Sequence, residues 1–294
     1  MKKRVIFKGV GTALVTPFSR GRIDYTALDR LIERQINAKI DALIIGGTTG
    51  EAATLSDRER YKLYAHSIER VDGRCPVILG TGTNDTRVAI KHTRVAKSLC
   101  ADGALVVTPY YNKGTESGLI SHYQSIANAV DMPIILYNVP SRTGVNIPIS
   151  ILNRLSQVEN IVGIKEAADS ADRLVKISTL GEDLPLYAGN DSQTFTALAL
   201  GGAGVISVLS NLCPERMKKI SEEYLAGRNS EALSQQQALL PLIDAMFVET
   251  NPTPVKYALS KLGLCSEQMR LPMSQAGKST RELIDGLIMA EDLF

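Results

Sequence analysis

Eight short runs of apolar residues recur along the chain, separated by segments with helical periodicity. Most of these runs are continuously apolar, which is typical of strands buried on both faces of a parallel sheet. In the segment between the first two runs, Leu28, Leu31 and Ile32 fall on one stripe of a helix. The pattern therefore predicts parallel strands joined by helices. The predicted strands are residues 10–15, 42–46, 76–80, 104–108, 133–137, 161–165, 184–188 and 205–209.

Two architectures suit strands that alternate with helices, a doubly wound open sheet and a closed (β/α)8 barrel. Eight strands within about 200 residues favour the barrel. A dinucleotide-binding open sheet would carry GxGxxG in its first strand-to-helix turn, whereas GVGT at residues 9–12 leads into a strand instead. We therefore expect an α/β protein built on a (β/α)8 TIM barrel.

The strand signal stops after about residue 225. Residues 229–248, 253–262 and 279–293 are predicted to be helices, and Pro252 and Pro254 mark a sharp entry to the second of them. The sequence thus predicts a catalytic barrel over residues 1–224 and a C-terminal helical domain over residues 225–294. No linker rich in Gly, Ser or Pro separates the two parts, so we expect the helical appendage to pack firmly on the barrel.

Composition narrows the possible partners. Lys and Arg (33) nearly balance Asp and Glu (31) with both signs interspersed, which gives no indication of nucleic acid or an anionic membrane as a partner. No apolar run approaches the ~18 residues that indicate a membrane span, and the N-terminus lacks the features of a signal peptide. The three His and four Cys residues are isolated, without metal-ligand spacing. We expect a soluble cytoplasmic protein without a metal.

Lys165 is the sharpest candidate for chemistry. In a (β/α)8 barrel the active site lies at the C-terminal ends of the strands, and Lys165 closes the apolar run of residues 161–164. Lysine is rarely buried without a partner, and a neutral buried amine is a nucleophile toward carbonyl carbons. The alternative, which the residue alone does not exclude, is a surface lysine or one paired with Glu166.

Two other strand ends carry residues with a possible function. The glycine-rich turn at residues 46–50 offers N–H groups and hydroxyls to a small carboxylate, or is only a tight turn capped by Thr. Tyr137 could relay a proton if its neighbours activate the phenol, or be an ordinary core tyrosine. Arg142 lies in a PSRTG turn, where its guanidinium could grip a carboxylate or simply face solvent.

Taken together, these motifs resemble one family. GTTGE at 47–51, TPYYN at 108–112, YNVPSRTG at 137–144 and GIKE at 163–166 look like those of the dihydrodipicolinate synthases, also called 4-hydroxy-tetrahydrodipicolinate synthases. The resemblance extends over essentially the whole chain, into the appendage. It implies condensation of pyruvate with L-aspartate-4-semialdehyde to 4-hydroxy-tetrahydrodipicolinate in diaminopimelate and lysine biosynthesis. It also implies a homotetramer assembled as a dimer of dimers.

The resemblance implies four catalytic residues. Lys165 would form a Schiff base with pyruvate, and Tyr137 would shuttle protons. Thr48 and Tyr111 would complete a proton relay with Tyr137, and Tyr111 would reach across a dimer interface into the relay of the neighbouring subunit. Neither a metal nor an organic cofactor is expected, because the lysine itself acts as the electron sink.

The resemblance also implies how the two substrates are held. The hydroxyl-bearing residues Thr48 and Thr49 would bind the pyruvate carboxylate. Arg142 would bind the carboxylate of the semialdehyde. Backbone groups of Gly189 and Ile206 would shape the pyruvate site.

Two rival functions follow from the same barrel. N-acetylneuraminate lyases and related keto-acid aldolases or dehydratases use the same lysine and tyrosine. We expect the lyase-like members to lack the arginine of the PSRTG segment and to have a Ser-Thr pair in place of Thr48 and Thr49. A catalytically inactive barrel that serves as a binding protein is the second rival. The intact set of Lys165, Tyr137 and Thr48 argues against it.

Feedback control is a point of departure from part of the family. Members inhibited by L-lysine place histidines and a glutamate around the two amino groups of the inhibitor. Val88 cannot neutralise an ammonium, and Arg60 adds a like charge, although Asp57 could compensate in part. We therefore expect weak inhibition by L-lysine or none. The matching positions in this chain are Ala53, Asp57, Arg60, Asn84, Val88 and Tyr110.

Overall fold

The computed structural model describes residues 3–291, and within them eight parallel strands close into a barrel. Each strand pairs with the next along the chain, and the last strand returns to the first through the pairs Gly9 with Gly204 and Val10 with Val205. The predicted α/β barrel is confirmed. Its strands are β1 (Gly9–Ala13), β2 (Ala42–Ile45), β3 (Val77–Gly80), β4 (Gly103–Val107), β5 (Ile134–Asn138), β6 (Ile161–Glu166), β7 (Leu186–Ala188) and β8 (Gly204–Ser207).

Helices fill the connections and form the C-terminal appendage. They are α1 (Tyr25–Asn37), α2 (Asp57–Val71), α3 (Thr86–Ser98), α4 (Glu116–Ala129), α5 (Pro140–Thr143), α6 (Ile149–Ser156), α7 (Ala171–Ser178), α8 (Thr194–Ala199), α9 (Pro214–Leu225), α10 (Asn229–Ala245), α11 (Thr253–Lys261) and α12 (Lys278–Ala290). None of the helices within residues 3–291 is both long and apolar enough to cross a membrane.

Every predicted strand overlaps an observed one, and the differences lie at the ends. The seventh strand is predicted to begin at residue 184, but β7 begins at Leu186. The Leu184 N–H donates to the Gly181 carbonyl at 3.3 Å, so it closes the preceding turn instead of joining the ladder. A two-residue hairpin, in which Phe18–Ser19 pairs antiparallel with Arg22–Ile23, was not predicted from the sequence.

Apolar side chains form two separate cores. The larger core lies between the strands and the surrounding helices, and the smaller core fills the interior of the barrel. In the smaller core the ring of Phe7 stacks on that of Tyr187 with 4.6 Å between centroids, and the Tyr187 hydroxyl donates to the Phe7 carbonyl at 2.8 Å. This pair occupies the interior at the end where β1 begins, so the interior opens toward the C-terminal ends of the strands.

The start of α2 shows how local sequence sets an element boundary. The Ser56 side chain accepts a hydrogen bond from the Glu59 N–H, and the Glu59 carboxylate accepts one from the Ser56 N–H at 3.0 Å. This reciprocal pairing satisfies two of the free N–H groups of the first turn. The helix therefore begins immediately after the loop that follows β2.

The appendage consists of α10, α11 and α12, close to the three predicted helices. The predicted helix over residues 229–248 ends earlier, at Ala245. The predicted helix over residues 279–293 is observed as Lys278–Ala290, and its last two predicted residues lie outside the described part of the chain. Helix α9 ends at Leu225 and packs against α10, the first helix of the appendage. This packing does not test a domain boundary between residues 224 and 225, which stays a prediction.

Candidate active site

Strands β5 and β6 bring Tyr137 and Lys165 together as register partners. The Lys165 Nζ lies 4.5 Å from the centroid of the Tyr137 ring, and the lysine is 4% exposed. Among the described residues, the Lys165 amine makes no hydrogen bond and no ion pair. The barrel thus holds a buried amine whose N–H donors are all unused.

Glu166, the next residue along β6, is not the partner of Lys165. Successive side chains of a strand point to opposite faces, and the Glu166 carboxylate lies against the helix layer. It pairs there with Arg173, whose Nε is 2.9 Å from Glu166 Oε2. The alternative interpretation of Lys165 as a lysine paired with Glu166 is therefore wrong.

A cavity of about 760 Å³ opens in front of Lys165, and we call it the Lys165 cavity. Its wall combines strand ends of the barrel with residues 247–251 of the appendage. Three of the residues predicted to bind substrate, Thr49, Arg142 and Gly189, line it together with Tyr137. The appendage is therefore part of the candidate site. The remaining lining residues are Val139, Ser141, Ala167, Asn190, Val208, Phe247, Val248, Glu249, Thr250 and Asn251.

A second cavity of about 260 Å³, which we call the Arg60 cavity, lies beside the first. Thr48 lines this cavity and not the first one. Tyr137, Arg142 and Asn251 line both cavities, so the two spaces meet at these side chains. Thr48 and Thr49 consequently face different spaces, although the family resemblance implies that both bind one carboxylate.

Two glycines bring the loops after β2 and β3 into close contact. Gly46 has φ +66°, in the left-handed region, and a Cβ on Gly80 would lie 2.3 Å from the Gly46 carbonyl oxygen. Only glycine fits at both positions, because any side chain would strain the backbone or collide with it. This contact fixes the turn that presents Thr48 and Thr49.

Asn251 is a site residue that the residue-by-residue reading of the sequence missed. Its Nδ2 donates to Thr49 Oγ1 at 3.0 Å, and its carbonyl accepts from Arg142 Nη2 at 2.8 Å. Its Oδ1 is buried without a hydrogen-bond partner among the described residues. No hydrophobic periodicity in the sequence indicates this role, because its partner Thr49 lies 202 residues away along the chain. The resemblance of the segment around it was the one available indication.

Asp191 adds a buried carboxylate behind the Lys165 cavity. It is 1% exposed, and its Oδ2 accepts from the N–H groups of Val208 at 3.0 Å and Leu209 at 2.9 Å. Burial raises the pKa of this carboxyl, while hydrogen bonds and the Lys165 charge oppose the shift. Asp191 thereby ties the end of β7 to the end of β8, two edges of the cavity.

Two predicted residues lie away from the cavities. Tyr111 has φ 71°, is 89% exposed and lines neither cavity. Ile206 is fully buried in the interior core. Among the described residues, the hydroxyls of Tyr137 and Thr48 make no hydrogen bond. The relay of Tyr137, Thr48 and Tyr111 is therefore not joined within this single chain.

The positions proposed for feedback control are already engaged. Arg60 is 8% exposed and donates from Nη2 to the Ala52 carbonyl at 2.6 Å and from Nη1 to the Gly80 carbonyl at 3.4 Å. The Asp57 carboxylate lies 2.8 Å from Lys91 Nζ and 3.1 Å from His92 Nε2. Asp57 and Val88 do not line the Arg60 cavity. Asp57 is thus less available to neutralise an ammonium group of L-lysine.

Comparisons with known proteins agree on one family. The model of the dihydrodipicolinate synthetase family matches residues 6–291. The 4-hydroxy-tetrahydrodipicolinate synthase of Thermotoga neapolitana is 45% identical over 293 residues, covering 98% of this chain and 100% of the relative. That of Alkaliphilus oremlandii is 47% identical over 278 residues, covering 94% and 96%. The crystal structure of dihydrodipicolinate synthase from Thermotoga maritima superposes with a TM-score of 0.97 at 43% identity, covering 99% and 100%.

Proposed function

The chain belongs to the dihydrodipicolinate synthetase family, and we propose that it condenses pyruvate with L-aspartate-4-semialdehyde to give 4-hydroxy-tetrahydrodipicolinate. This reaction belongs to the biosynthesis of diaminopimelate and lysine. The observation that carries the proposal is Lys165, a buried amine without hydrogen-bond or ion-pair partner among the described residues that faces a cavity large enough for two small substrates.

The reaction begins at the Lys165 amine. Its lone pair attacks the ketone carbon of pyruvate, and loss of water from the carbinolamine leaves an iminium. The positive nitrogen withdraws electrons, so a methyl proton departs and a nucleophilic enamine forms. The ring of Tyr137, 4.5 Å from Lys165 Nζ, brings the phenol into the same cavity as a candidate for these proton transfers.

The second half of the reaction joins the two substrates. The enamine carbon attacks the aldehyde carbon, and the aldehyde oxygen takes a proton to become a hydroxyl. The amine of the semialdehyde then attacks the iminium carbon and displaces Lys165, which closes the ring as a cyclic imine. Over the whole cycle one water is released and the lysine amine is regenerated.

The remaining site residues have binding roles in this proposal. Thr49 supplies a hydroxyl to the pyruvate carboxylate at the wall of the Lys165 cavity, and Thr48 does so from the neighbouring space. Arg142 reaches both cavities and is suited to grip the carboxylate of the semialdehyde in a two-pronged contact. Gly189 lines the Lys165 cavity, and its backbone groups, together with those of Ile206, whose side chain is buried in the interior core, are the proposed pyruvate end.

Assembly is part of the proposal. Tyr111 is exposed on its loop, and in a dimer its phenol would complete the proton relay of Tyr137 and Thr48 in the neighbouring subunit. We extend this to a homotetramer built as a dimer of dimers, with the chain divided into a barrel of residues 1–224 and a helical domain of residues 225–294. The proposed location is the cytoplasm.

Trapping the imine tests the proposal directly. The protein is incubated with pyruvate, reduced with borohydride and digested, and a single adduct is expected on the peptide that carries Lys165. A coupled assay with pyruvate and the semialdehyde is run beside an assay of N-acetylneuraminate cleavage, and activity is expected in the first alone. An adduct on another lysine, or none, would refute the proposed chemistry. Cleavage of N-acetylneuraminate without condensation would favour the lyase alternative.

A further inference from the structure

Behind the proposed catalytic pair lies a second pair on the opposite face of the same two strands. Asn138 follows Tyr137 in β5, and its register partner Glu166 follows Lys165 in β6. Both Asn138 and Glu166 are fully buried. The Asn138 Nδ2 lies 2.8 Å from Glu166 Oε1 and 3.0 Å from Glu166 Oε2. One amide thus holds the two strand ends together next to the reacting side chains.

The same amide also closes the loop that carries Arg142. Asn138 Oδ1 accepts from the Ile147 N–H at 3.0 Å, and Asn138 Nδ2 donates to Asn146 Oδ1 at 2.9 Å. The chain leaves the barrel at Asn138, forms α5 with Arg142, and returns to the Asn138 side chain. The start and the end of this loop are therefore fixed at one point.

Arg173 completes the cluster from α7. Its Nε donates to Glu166 Oε2 at 2.9 Å, and its Nη2 donates to the Ile147 carbonyl at 2.7 Å. Glu166 Oε1 accepts a further bond from the Ala168 N–H at 2.8 Å. A buried polar cluster with its groups satisfied in this way holds one geometry, because any displacement leaves a buried group unpaired.

We propose that Asn138 is a positioning residue that sets the alignment of Lys165 with Tyr137 and the place of Arg142 at once. The inference rests on the proposed function, since it assumes that these three side chains act on substrate. Misplacement of a reacting group by about 1 Å can cost on the order of a hundredfold in rate. An amide that fixes two strand ends and one loop therefore controls both halves of the reaction without touching either substrate.

Asn160 provides a matched control. It immediately precedes β6, at the end of the strand away from Lys165, and is half-buried. Its Nδ2 donates to the carbonyls of Ala127 at 2.9 Å and Val130 at 3.0 Å. Replacing Asn160 removes an amide that bridges neighbouring segments, as Asn138 does, but far from the cavity.

The experiment compares Asn138→Ala with Asn160→Ala in the full-length chain. For each variant we measure the midpoint of urea unfolding, the rate of imine trapping with pyruvate and borohydride, and kcat/KM for the semialdehyde. We expect both variants to lose stability. Only Asn138→Ala is expected to lose kcat/KM by roughly 10- to 100-fold, with slower trapping as well. Asn138→Ser replaces Asn138→Ala if that variant does not fold.

A charge test separates positioning from general loosening. Asn138→Asp sets a second carboxylate against Glu166 and should lower kcat/KM further. Adding Glu166→Gln restores an amide opposite a carboxylate, so the double variant should recover at least part of that loss. The inference is overturned if kcat/KM and trapping in Asn138→Ala stay within about twofold of those in Asn160→Ala, or if the double variant recovers nothing. Failure of the proposed function looks different, because the wild-type protein itself would then neither trap pyruvate nor condense the substrates.

Discussion

Two lysines buried in different parts of the molecule differ in what surrounds their amines. Lys256, in α11 of the appendage, is 0% exposed and donates to Glu51 Oε1 at 2.7 Å, to the Gln268 carbonyl at 2.7 Å and to the Thr16 carbonyl at 3.0 Å. An ammonium has three N–H donors, so each has an acceptor. Burial lowers the pKa of Lys256, and Glu51 opposes that shift.

Lys165 shares with Lys256 its burial and an aromatic neighbour, but not its hydrogen-bond partners. Its Nζ lies 4.5 Å from the Tyr137 ring centroid, as the Lys256 Nζ lies 4.5 Å from that of Phe18. The Lys165 donors, however, have no acceptor among the described residues and face the Lys165 cavity. Burial therefore does not distinguish a reactive lysine from a structural one. The unused donors and the open space do.

The largest effect is expected from Lys165→Met. The variant should lose condensation activity by on the order of 10⁴-fold or more, as removal of a covalent nucleophile does, because no imine can form. Its stability should change little, since no ion pair is broken. The measurement is the coupled assay together with borohydride trapping and urea unfolding. Substantial residual activity would show that Lys165 is not the reactive lysine.

Lys256→Met should show the reverse behaviour. Removing one partner of a buried ion pair leaves the Glu51 carboxylate uncompensated, which costs about 3–5 kcal/mol of unfolding free energy. The folded fraction should still form the pyruvate adduct on Lys165. Urea unfolding gives the loss, and the double variant Lys256→Met/Glu51→Gln should be less destabilised because the lone charge is gone. A single variant as stable as the wild type would contradict the account of Lys256.

Arg142→Ala tests another cationic side chain of the Lys165 cavity. Arg142 should matter for the semialdehyde, which needs a second carboxylate contact, and hardly at all for pyruvate. Loss of a charge-assisted hydrogen bond costs about 1.5–3 kcal/mol, or on the order of ten- to a hundredfold in kcat/KM for the semialdehyde. Steady-state kinetics with each substrate varied in turn provides the measurement, and the KM for pyruvate is the internal control. Equal losses for both substrates would place Arg142 elsewhere in the reaction.

The smallest effect is expected from added L-lysine. Arg60 resembles Lys256 in being a buried cation held by carbonyl oxygens, and it lines the Arg60 cavity with a charge that repels an ammonium. We expect little or no inhibition, with half-maximal inhibition above ~1 mM, a concentration that corresponds to roughly −4 kcal/mol of binding. An inhibition titration of the coupled assay decides. Half-maximal inhibition below that concentration would show that Arg60 and Val88 do not prevent L-lysine from binding.

The sequence predicts well those features that depend on neighbours along the chain. Continuous apolar runs predicted the eight strands, and the stripe of Leu28, Leu31 and Ile32 predicted a helix where α1 lies. The rule that barrel chemistry lies at strand ends led to Lys165, whose exposure of 4% and unused donors are in keeping with that choice. Each of these signals lies within one element.

Features that depend on distant pairs were not predictable in the same way. Nothing near Thr49 indicates that the Asn251 amide will bind it, and nothing near Glu51 indicates Lys256, because those pairs are separated by 202 and 205 residues. The sequence likewise did not determine the partner of Glu166. In the structure its side chain lies on the outer face of the barrel, next to Arg173. Side-chain partners across the fold are decided by how the barrel closes and how the appendage packs on it, and no local sequence pattern predicts either.

The long sequence separations within the site have a consequence for how the molecule comes into being. Strand β1 finds its second neighbour only when β8 has been made, and Thr49 and Glu51 receive their partners from residues 251 and 256. During synthesis from the N-terminus, the chain that already contains Lys165 must wait for about 90 further residues before its site can be complete. Contacts this distant also slow folding. Surfaces of the incomplete barrel therefore stay exposed until the appendage has been made. A nascent chain stalled before α11 would carry the reactive Lys165 without the loop geometry that directs it.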